Sequence, residues 1–553
     1  METTLEKLGL TVWFGQSEQD LSLLSSPCIL IYPTSSNWND FKLRTNCRFI
    51  TKITNETQYT GELHTAFLGG EHELSALVSN KINQRFHPVN SKSLPQFFTL
   101  LMNMQGYRNL VQDFGVAGAK DILLSMNDLV ALRNFGKAPQ WYEEAITSPA
   151  FTLSFVRSSE VFFAFHNAGS ILDGLSEELL GDVSNQLDLV FKLGGFENQH
   201  KFEFRFETRG ILPKRINVII GKNGVGKSQA LSQLVRAALK GDDSLTDPVS
   251  GRPMINRLLA IATPGETHYT FQAEPRGVSR IKYRRLLLTR NSRSSRSRGI
   301  GELLVQLVRS EESIGENSRW ELFLETLEAA LPLNEIAIPL RKGSVIAMPL
   351  IISSGQTDFV PLLAIQKRSE QLSLTLWGAI DPRSDPVRIV NGVHYPLSSG
   401  QLAFFRFALQ ATLFIENGTL VLLDEPETHL HPNLISQFVG LLDKILELTG
   451  SIAIIATHSA YFVREMPRSQ VFVVRENDNH MIEIGNPRLK TLGADVGAIS
   501  FFVFEDDISG SIVENLKRKM TKNTTNKEKL LTELENELSS EAFMTLSREL
   551  GMD

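Results

Sequence analysis

A glycine-rich run near the middle of the chain has the residue types and spacing that bind phosphate groups. It fits G-x-x-x-x-G-K-[ST] at every fixed position. Its glycines let successive backbone N–H groups point at phosphate oxygens, and a helix beginning at Lys227 would add its positive end. We expect Lys227 to lie between the β- and γ-phosphates of a nucleotide and Ser228 to place its hydroxyl on Mg²⁺. The predicted nucleotide-binding residues are Gly221, Lys222, Asn223, Gly224, Val225, Gly226, Lys227, Ser228 and Gln229.

Two carboxylates follow an apolar stretch later in the chain. Thr419–Leu423 is typical of a buried strand, and Asp424 and Glu425 come directly after it. Asp424 suits a Mg²⁺ partner, direct or through water, and Glu425 suits the base that orients an attacking water. The alternative is an ordinary strand ending in an acidic turn. The continuation Pro426–Pro432 weakens that alternative.

A serine–glycine turn precedes this acidic strand. Such a turn at a helix N-terminus is either a second anion site or a plain helix cap, and its order and spacing here favour the anion site. The helix is expected over Leu402–Phe414, and the turn consists of Leu397, Ser398, Ser399, Gly400 and Gln401.

His458 ends another buried strand, one helix after the acidic strand. A lone histidine is more often structural than functional. Both strands should nevertheless end at the same edge of a parallel sheet, which is where open α/β sheets bind ligands. His458 is therefore expected to reach the γ-phosphate or the attacking water, beside Lys227 and Glu425 as the catalytic set.

The elements around these motifs have readable periodicities. Ile216–Ile220 is nearly all apolar, as a strand covered on both faces is, and the residues after the glycine-rich run have helical spacing. Residues 187–191 and 201–206 alternate like half-buried antiparallel strands. Residues 94–132 are expected to be mostly helical, with a break near Gly115 and Gly118, and a further helix is expected near Trp320–Leu331.

These patterns divide the 553 residues into three parts. We expect an α+β region over residues 1–185, an α/β head over 186–508 with an inserted segment at about 240–390, and a charged helical tail over 509–553. The head is predicted to combine a mixed sheet flanked by helices with a small antiparallel subdomain. A net charge of −6 means that any nucleic-acid surface must be local.

Composition also limits where the protein works. No stretch approaches the roughly 18 consecutive apolar residues of a membrane span, and no export signal opens the chain. The two cysteines, Cys28 and Cys47, show no metal-binding or disulfide pattern, so they are expected to be reduced thiols. The protein is predicted to be soluble and cytoplasmic, with no membrane partner.

Taken together, the four motifs resemble the ABC-type ATPase head shared by transporter ATPases, SMC and Rad50 proteins, and overcoming-lysogenization-defect nucleases. The resemblance covers roughly residues 186–508. It implies ATP and Mg²⁺ as ligands, ATP hydrolysis, and a head-to-tail homodimer or higher even oligomer. In that arrangement Ser398 of one copy caps the γ-phosphate held by Lys227 of the other. Ser399 departs from the usual glycine, and the Q-loop glutamine is unplaced, with Gln272 and Gln356 as candidates.

Within this group the chain is most similar to stand-alone ATPases of bacterial anti-phage systems. The inserted segment argues against a transporter ATPase and is too rich in proline and glycine for a long coiled-coil arm. Because only about 45 residues follow Asp507, we expect no nuclease domain after the head. The Asp424–Pro432 and Gly493–Ser500 segments resemble the Septu ATPases of the PtuA family, particularly the retron-associated form. This implies an HNH nuclease partner of the PtuB type and, in retrons, a reverse transcriptase with its msDNA. The alternative is an SMC/Rad50-like repair ATPase that acts directly on DNA.

One cluster of basic residues lies inside the inserted segment. Such a cluster is a contact surface for a phosphate backbone, a solvated basic loop, or a site paired with acids elsewhere in the chain. The candidates for nucleic-acid contact are Arg284, Arg285, Arg290, Arg293, Arg296 and Arg298.

Overall fold

The structure of the protein is a computed structural model. It describes residues 9–34, 43–54, 58–69, 88–135, 138–174, 183–207, 211–262, 270–275, 280–287, 298–310, 313–314, 317–328, 330–342, 351–366, 370–430, 432–504 and isolated positions beyond 515. The segment 505–515 and most of the predicted tail therefore lie outside the described residues.

The N-terminal region is built on one sheet whose described strands run in the order β5-β1-β2-β3-β4-β6. Only β1 and β2 pair in parallel; the other neighbours in this order are antiparallel. Helices pack on the sheet over an aromatic-rich core. The elements are β1 (Thr11–Phe14), β2 (Cys28–Pro33), β3 (Asn46–Lys52), β4 (Gln58–Phe67), β5 (Val89–Asn90), β6 (Phe97–Leu101), α1 (Met104–Ser125), α2 (Leu129–Phe135), α3 (Tyr142–Thr147) and α4 (Ser159–Asn167). Cys28 and Cys47 are buried and not joined by a disulfide.

The prediction for residues 94–132 is corrected at its start. Phe97–Leu101 form β6, with every side chain buried, because they complete the sheet beside β4. The helix begins only after Asn103, whose side chain accepts a hydrogen bond from the N–H of Gly106 at 3.0 Å. The expected break is present at Gly115, whose φ is 66°, whereas the helix continues through Gly118.

The head begins with an antiparallel unit and the first strands of its main sheet. Within the described residues, β10-β7-β8 form the antiparallel unit. The helix predicted after the glycine-rich run is α5. The elements are β7 (Gln186–Phe191), β8 (His200–Arg205), β9 (Ile216–Gly221), α5 (Lys227–Lys240), β10 (Leu245–Thr246), β11 (Arg257–Ala262) and β12 (Lys282–Leu287).

The predicted insertion at about 240–390 is corrected at its start, because β10, β11 and β12 belong to the sheets of the head. The described residues from 298 to 414 form helices, an antiparallel pair at 313–318 and a larger antiparallel sheet. The described strands of this sheet run β16-β17-β15-β18-β19. The helix predicted near Trp320–Leu331 is α7. The elements are α6 (Ile300–Arg309), β13 (Ser313–Ile314), β14 (Asn317–Ser318), α7 (Arg319–Glu328), β15 (Ile336–Pro339), β16 (Ile352–Ser354), β17 (Thr357–Pro361), α8 (Glu370–Ala379), β18 (Val387–Val390), β19 (Val393–Pro396) and α9 (Ser399–Phe414).

The rest of the head completes the main sheet, whose described strands run β12-β11-β20-β21-β9-β22-β23. All neighbours pair in parallel except β22 and β23. The strands β9, β20 and β21 are buried at every residue, which explains their mostly apolar sequences. The remaining elements are β20 (Thr419–Asp424), α10 (Pro432–Thr449), β21 (Ile452–Thr457), α11 (Ala460–Arg464), β22 (Val471–Glu476), β23 (Ile482–Gly485) and α12 (Val496–Phe504).

A buried carboxylate joins the N-terminal region to the head. Glu416, between α9 and β20, pairs with an arginine from three separate elements. Burial raises the pKa of Glu416, but the arginines outweigh it and hold that pKa below its usual range. The three arginines are Arg108 of α1, Arg257 of β11 and Arg319 of α7. No helix among the described residues is long and apolar enough to cross a membrane.

Candidate nucleotide site

The glycine-rich run forms a tight loop between β9 and α5, as predicted. Gly224 and Gly226 have φ values of 88° and 94°, in the left-handed region that glycine adopts without strain. Gly221 also requires glycine, because a Cβ there would clash with the carbonyl oxygen of Val474. The loop thus has the left-handed glycine turns that phosphate-binding loops use, at the N-terminus of a 14-residue helix whose positive end would attract an anion.

Lys227 lies buried at the base of this loop, 5% exposed. Its Nζ donates to the carbonyl oxygens of Gly221 and Lys222, both at 2.9 Å. Burial lowers the pKa of Lys227 to about 8, against the opposing effect of the neighbouring carboxylates. The ammonium group is therefore held in the loop by two neutral carbonyl oxygens. Phosphate oxygens would bind it more strongly, because they are negatively charged.

Ser228 and Asp424 meet as expected for a shared metal ion. The Ser228 hydroxyl donates to Asp424 Oδ1 at 2.9 Å, and the hydroxyl of Thr270 donates to Oδ2 at 2.7 Å. Burial raises the pKa of Asp424, with the two hydroxyl hydrogen bonds acting in the opposite direction. A hydroxyl paired with a buried carboxylate fits Mg²⁺, because the cation would restore the charged form of the acid. Sequence reasoning missed Thr270, which no motif marks.

The parallel register brings the candidate residues to one edge of the sheet. Asp424 is level with Ala262 of β11 and with Ala456 of β21, and Ala456 is level with Ile219 of β9. The ends of four neighbouring strands therefore coincide. This confirms the prediction that the acidic strand and the histidine strand end together.

Glu425 and His458 form a direct pair at this edge. His458 Nε2 lies 3.0 Å from Glu425 Oε1, and both side chains are partly exposed, at 31% and 25%. Glu425 has φ 48° and ψ 53°, a left-handed conformation that costs a non-glycine residue roughly 1–2 kcal/mol. Such conformations persist where the surrounding structure imposes them, and they cluster at functional sites. The imidazole orients the carboxylate that is predicted to act on water.

Glu427 is a member of the site that sequence reasoning left without a role. Its Oε1 accepts from the Thr457 hydroxyl at 2.6 Å and from the N–H of His458 at 2.7 Å. Burial raises the pKa of Glu427, while these hydrogen bonds lower it. Glu427 thereby ties the turn after β20 to the end of β21. It positions His458 through the backbone rather than through the imidazole.

The serine–glycine turn begins α9 with a capping box. The N–H of Gln401 donates to the Ser398 hydroxyl at 3.2 Å, and the N–H of Ser398 donates to Gln401 Oε1 at 3.0 Å. Ser398 and Ser399 are exposed, whereas Gly400 is buried. The turn is therefore a helix cap, as one of the two interpretations predicted. Because its serines are exposed, it is also accessible to a ligand.

The other predicted positions are placed as follows. Gln272 lies two residues after Thr270, and Gln356 lies in the turn between β16 and β17, so the Q-loop glutamine stays open between them. Arg290, Arg293 and Arg296 lie outside the described residues. The described basic candidates are Arg284 and Arg285 on β12 and Arg298 before α6.

This fold and site define a P-loop nucleotide-binding domain of the α/β class, in which a mixed sheet flanked by helices is joined to a small antiparallel unit. A family model described as "AAA domain, putative AbiEii toxin, Type IV TA system" matches residues 216–464. The matched segment runs from β9 to the end of α11 and includes each nucleotide-site residue described above. These residues are thus similar to the AAA-type ATPase domains that this family model describes.

Three known proteins are similar to parts of the chain. Protein ea59 of Escherichia phage lambda is 39% identical over 93 residues, which is 17% of this chain and 18% of that protein. The chain thus matches less than a fifth of the length of this curated relative. The crystal structure of UvrA2 from Deinococcus radiodurans is 15% identical with a TM-score of 0.27, over 61% of this chain and 42% of UvrA2.

An SMC head bound to the C-terminal winged-helix domain of ScpA is 12% identical with a TM-score of 0.26. It covers 56% of this chain and 98% of that head. At TM-scores this low, neither structural likeness carries an argument about function. The fold assignment depends instead on the strand order and on the phosphate loop.

Proposed function

We propose that this chain is the ATP-binding and ATP-hydrolysing subunit of a bacterial anti-phage defence system of the Septu or retron kind. Two copies close head to tail around ATP, and this closure controls a partner HNH nuclease of the PtuB type. In a retron, the assembly would also include a reverse transcriptase and its msDNA. Hydrolysis then returns the dimer to its open form, so the γ-phosphate acts as a switch.

The proposal of ATP hydrolysis depends on one observation: two pairs of side chains, Ser228 with Asp424 and Glu425 with His458, lie at the same edge of the sheet. Ser228 with Asp424 would hold Mg²⁺, which neutralises phosphate charge when bound. Glu425 with His458 would accept a proton from an attacking water and keep the carboxylate oriented. Lys227, already in the phosphate loop, would exchange its two carbonyl partners for phosphate oxygens.

The dimer part is supported by the exposed turn at the start of α9. Ser398 is exposed, and the N-terminus of a 16-residue helix lies directly behind it. A second copy placed head to tail would present this turn to the phosphates held by Lys227. Each nucleotide would then be held by two chains.

Mixing two inactive variants tests the shared site. Lys227→Ala and Ser398→Arg should each abolish ATP hydrolysis, because each damages both sites of its homodimer. An equal mixture should regain about a quarter of the wild-type rate, since half the dimers are mixed and each has one intact site. The matched control mixes Lys227→Ala with Glu425→Gln, which act on the same half-site and should not complement. A Ser398 mixture as inactive as this control would refute the shared site.

Co-purification tests the defence role. A nuclease subunit should co-purify with the chain expressed from its native operon, and the neighbouring genes should encode an HNH nuclease. Robust stimulation of the isolated chain's ATPase by DNA ends, with no partner present, would instead support the SMC/Rad50-like repair ATPase.

A further inference from the structure

A groove with basic walls follows β12, the outermost strand on one side of the main sheet. Two cavities of about 490 Å³ and about 260 Å³ open along it, and they share Glu274, Arg284 and Phe414. One wall is β12, a second is the end of α9, and a third is α6. We call this region the β12 groove; its charged residues are Arg257, Glu274, Lys282, Arg284, Arg285, Arg298 and Arg309.

The larger cavity has a clear excess of positive charge. Four cationic side chains line it against one carboxylate, that of Glu274. Two carboxylates outside the cavity neutralise part of this charge. Glu160 lies 3.0 Å from Arg257 and 3.2 Å from Lys282, and Glu416 lies 3.6 Å from Arg257. The side chains of Arg284 and Arg309 make no hydrogen bond or ion pair to any residue in the part of the chain that the structure describes. These two guanidinium groups are therefore available to an anion.

Arg284 is held in one orientation by an aromatic ring. Its guanidinium lies 4.1 Å from the centroid of Phe414, the last residue of α9. A guanidinium plane that is covered on one face can stack a nucleic-acid base on the other. Because Arg284 lines both cavities, it lies where a ligand passing from one cavity to the other would meet it.

The carboxylate of Glu274 occupies the position in this groove that a phosphate group of a ligand could take. Its Oε1 accepts from the N–H of Arg285, an outward-facing donor of the edge strand, at 3.1 Å. Two further bonds hold its segment against β12: the Tyr283 hydroxyl donates to the carbonyl of Gln272 at 2.9 Å, and Arg285 Nη1 donates to the carbonyl of Phe271 at 3.0 Å. A phosphate oxygen has the charge and acceptor capacity to take the place of this carboxylate.

We propose that the β12 groove binds a single strand of nucleic acid and that Glu274 competes with its phosphates. Cavities of this size hold one or two nucleotides rather than a duplex. Arg309 and Lys282 would contact phosphates and Arg284 would stack a base. Arg284 packs on Phe414, at the far end of the helix that begins with the Ser398 turn. This site goes beyond the proposed ATP switch and is separable from it.

Binding to a fluorescein-labelled single-stranded oligonucleotide tests the groove in the full-length chain. With about two phosphates engaged, by Arg309 and Lys282, affinity should fall about 7-fold between 50 and 200 mM salt. Glu274→Gln should tighten binding about 3- to 10-fold, because it removes the competing charge. Arg309→Gln should lower the slope of log affinity against log salt by about 0.7. Both positions are exposed, so neither change disturbs the core.

Matched variants separate this site from its alternatives. Arg488→Gln, an exposed arginine elsewhere on the head, should leave affinity and salt slope unchanged. Lys227→Ala should bind the oligonucleotide like wild type, which distinguishes failure of the groove from failure of the ATP site. The proposal is overturned if Glu274→Gln binds no tighter than wild type or if Arg309→Gln behaves like Arg488→Gln. Equal competition by polyglutamate of matched charge would also overturn it, because the site would then be for acidic peptides. DNA and RNA forms of the probe show which nucleic acid is preferred.

Discussion

The buried Lys227 makes ATP affinity depend on pH in a defined direction. In the nucleotide-free protein, burial lowers the pKa of Lys227 to about 8, well below the usual value for a lysine. Bound phosphates favour the charged ammonium group, so ATP binding must raise this pKa again. Below pH 8 the lysine is already charged and affinity should be flat. Above pH 8 the free protein must take up a proton in order to bind.

The size of the effect follows from this shift. Each pH unit above 8 costs about 1.4 kcal/mol of binding free energy, a tenfold loss of affinity. At pH 9 about nine in ten free sites carry a neutral lysine, so binding should take up about 0.9 proton. The loss continues until the pKa of the bound state is reached.

Isothermal titration calorimetry measures both quantities. MgATP is titrated at pH 7 to 9.5 in pairs of buffers with different ionisation enthalpies, so that the difference in heat gives the protons taken up. Ser228→Ala should bind more weakly with the same pH dependence, because its lysine is intact. Lys227→Ala should bind weakly with no such dependence. Wild-type affinity that stays constant from pH 7 to 9, or equal proton uptake by Lys227→Ala, would refute the reasoning.

Three further predictions concern the carboxylates of the head. Glu425→Gln should trap an ATP-bound dimer, seen by light scattering, with hydrolysis lost; an unchanged turnover rate would remove Glu425 from its role. Thr270→Val removes a 2.7 Å hydrogen bond to Asp424 and should lower kcat about 10- to 100-fold with little change in KM, whereas an effect on KM alone would contradict a role in placing the metal ligand. Glu416→Gln leaves three arginines facing a neutral amide and should cost about 3–5 kcal/mol of unfolding free energy in denaturant titrations. Because the Glu416 pKa is depressed, the difference from wild type should be full at neutral pH and shrink as the pH falls through that pKa; a loss below 1 kcal/mol would show that the cluster is not structural.

Local sequence was sufficient to predict the phosphate loop and the strands beside it. The spacing of Gly221, Gly226 and Lys227 encodes one backbone conformation, and apolar runs such as β20 encode strands covered on both faces. The alternation of strand and helix also implied that the Asp424 and His458 strands end at one edge. The structure confirms this in the 3.0 Å pair of His458 with Glu425.

Contacts between distant segments were decided only by the tertiary structure. Thr270 donates a hydrogen bond to Asp424, Arg284 packs on Phe414, and Glu416 pairs with arginines from three elements. The fold brings these residues together from distant parts of the chain. The periodicity of the sequence contains no information about such contacts. The same cause made β6 a strand where local pattern predicted helix. The meeting of Ser398 with Lys227 of a second copy depends on an interface between chains, so it stays a prediction for the mixing experiment.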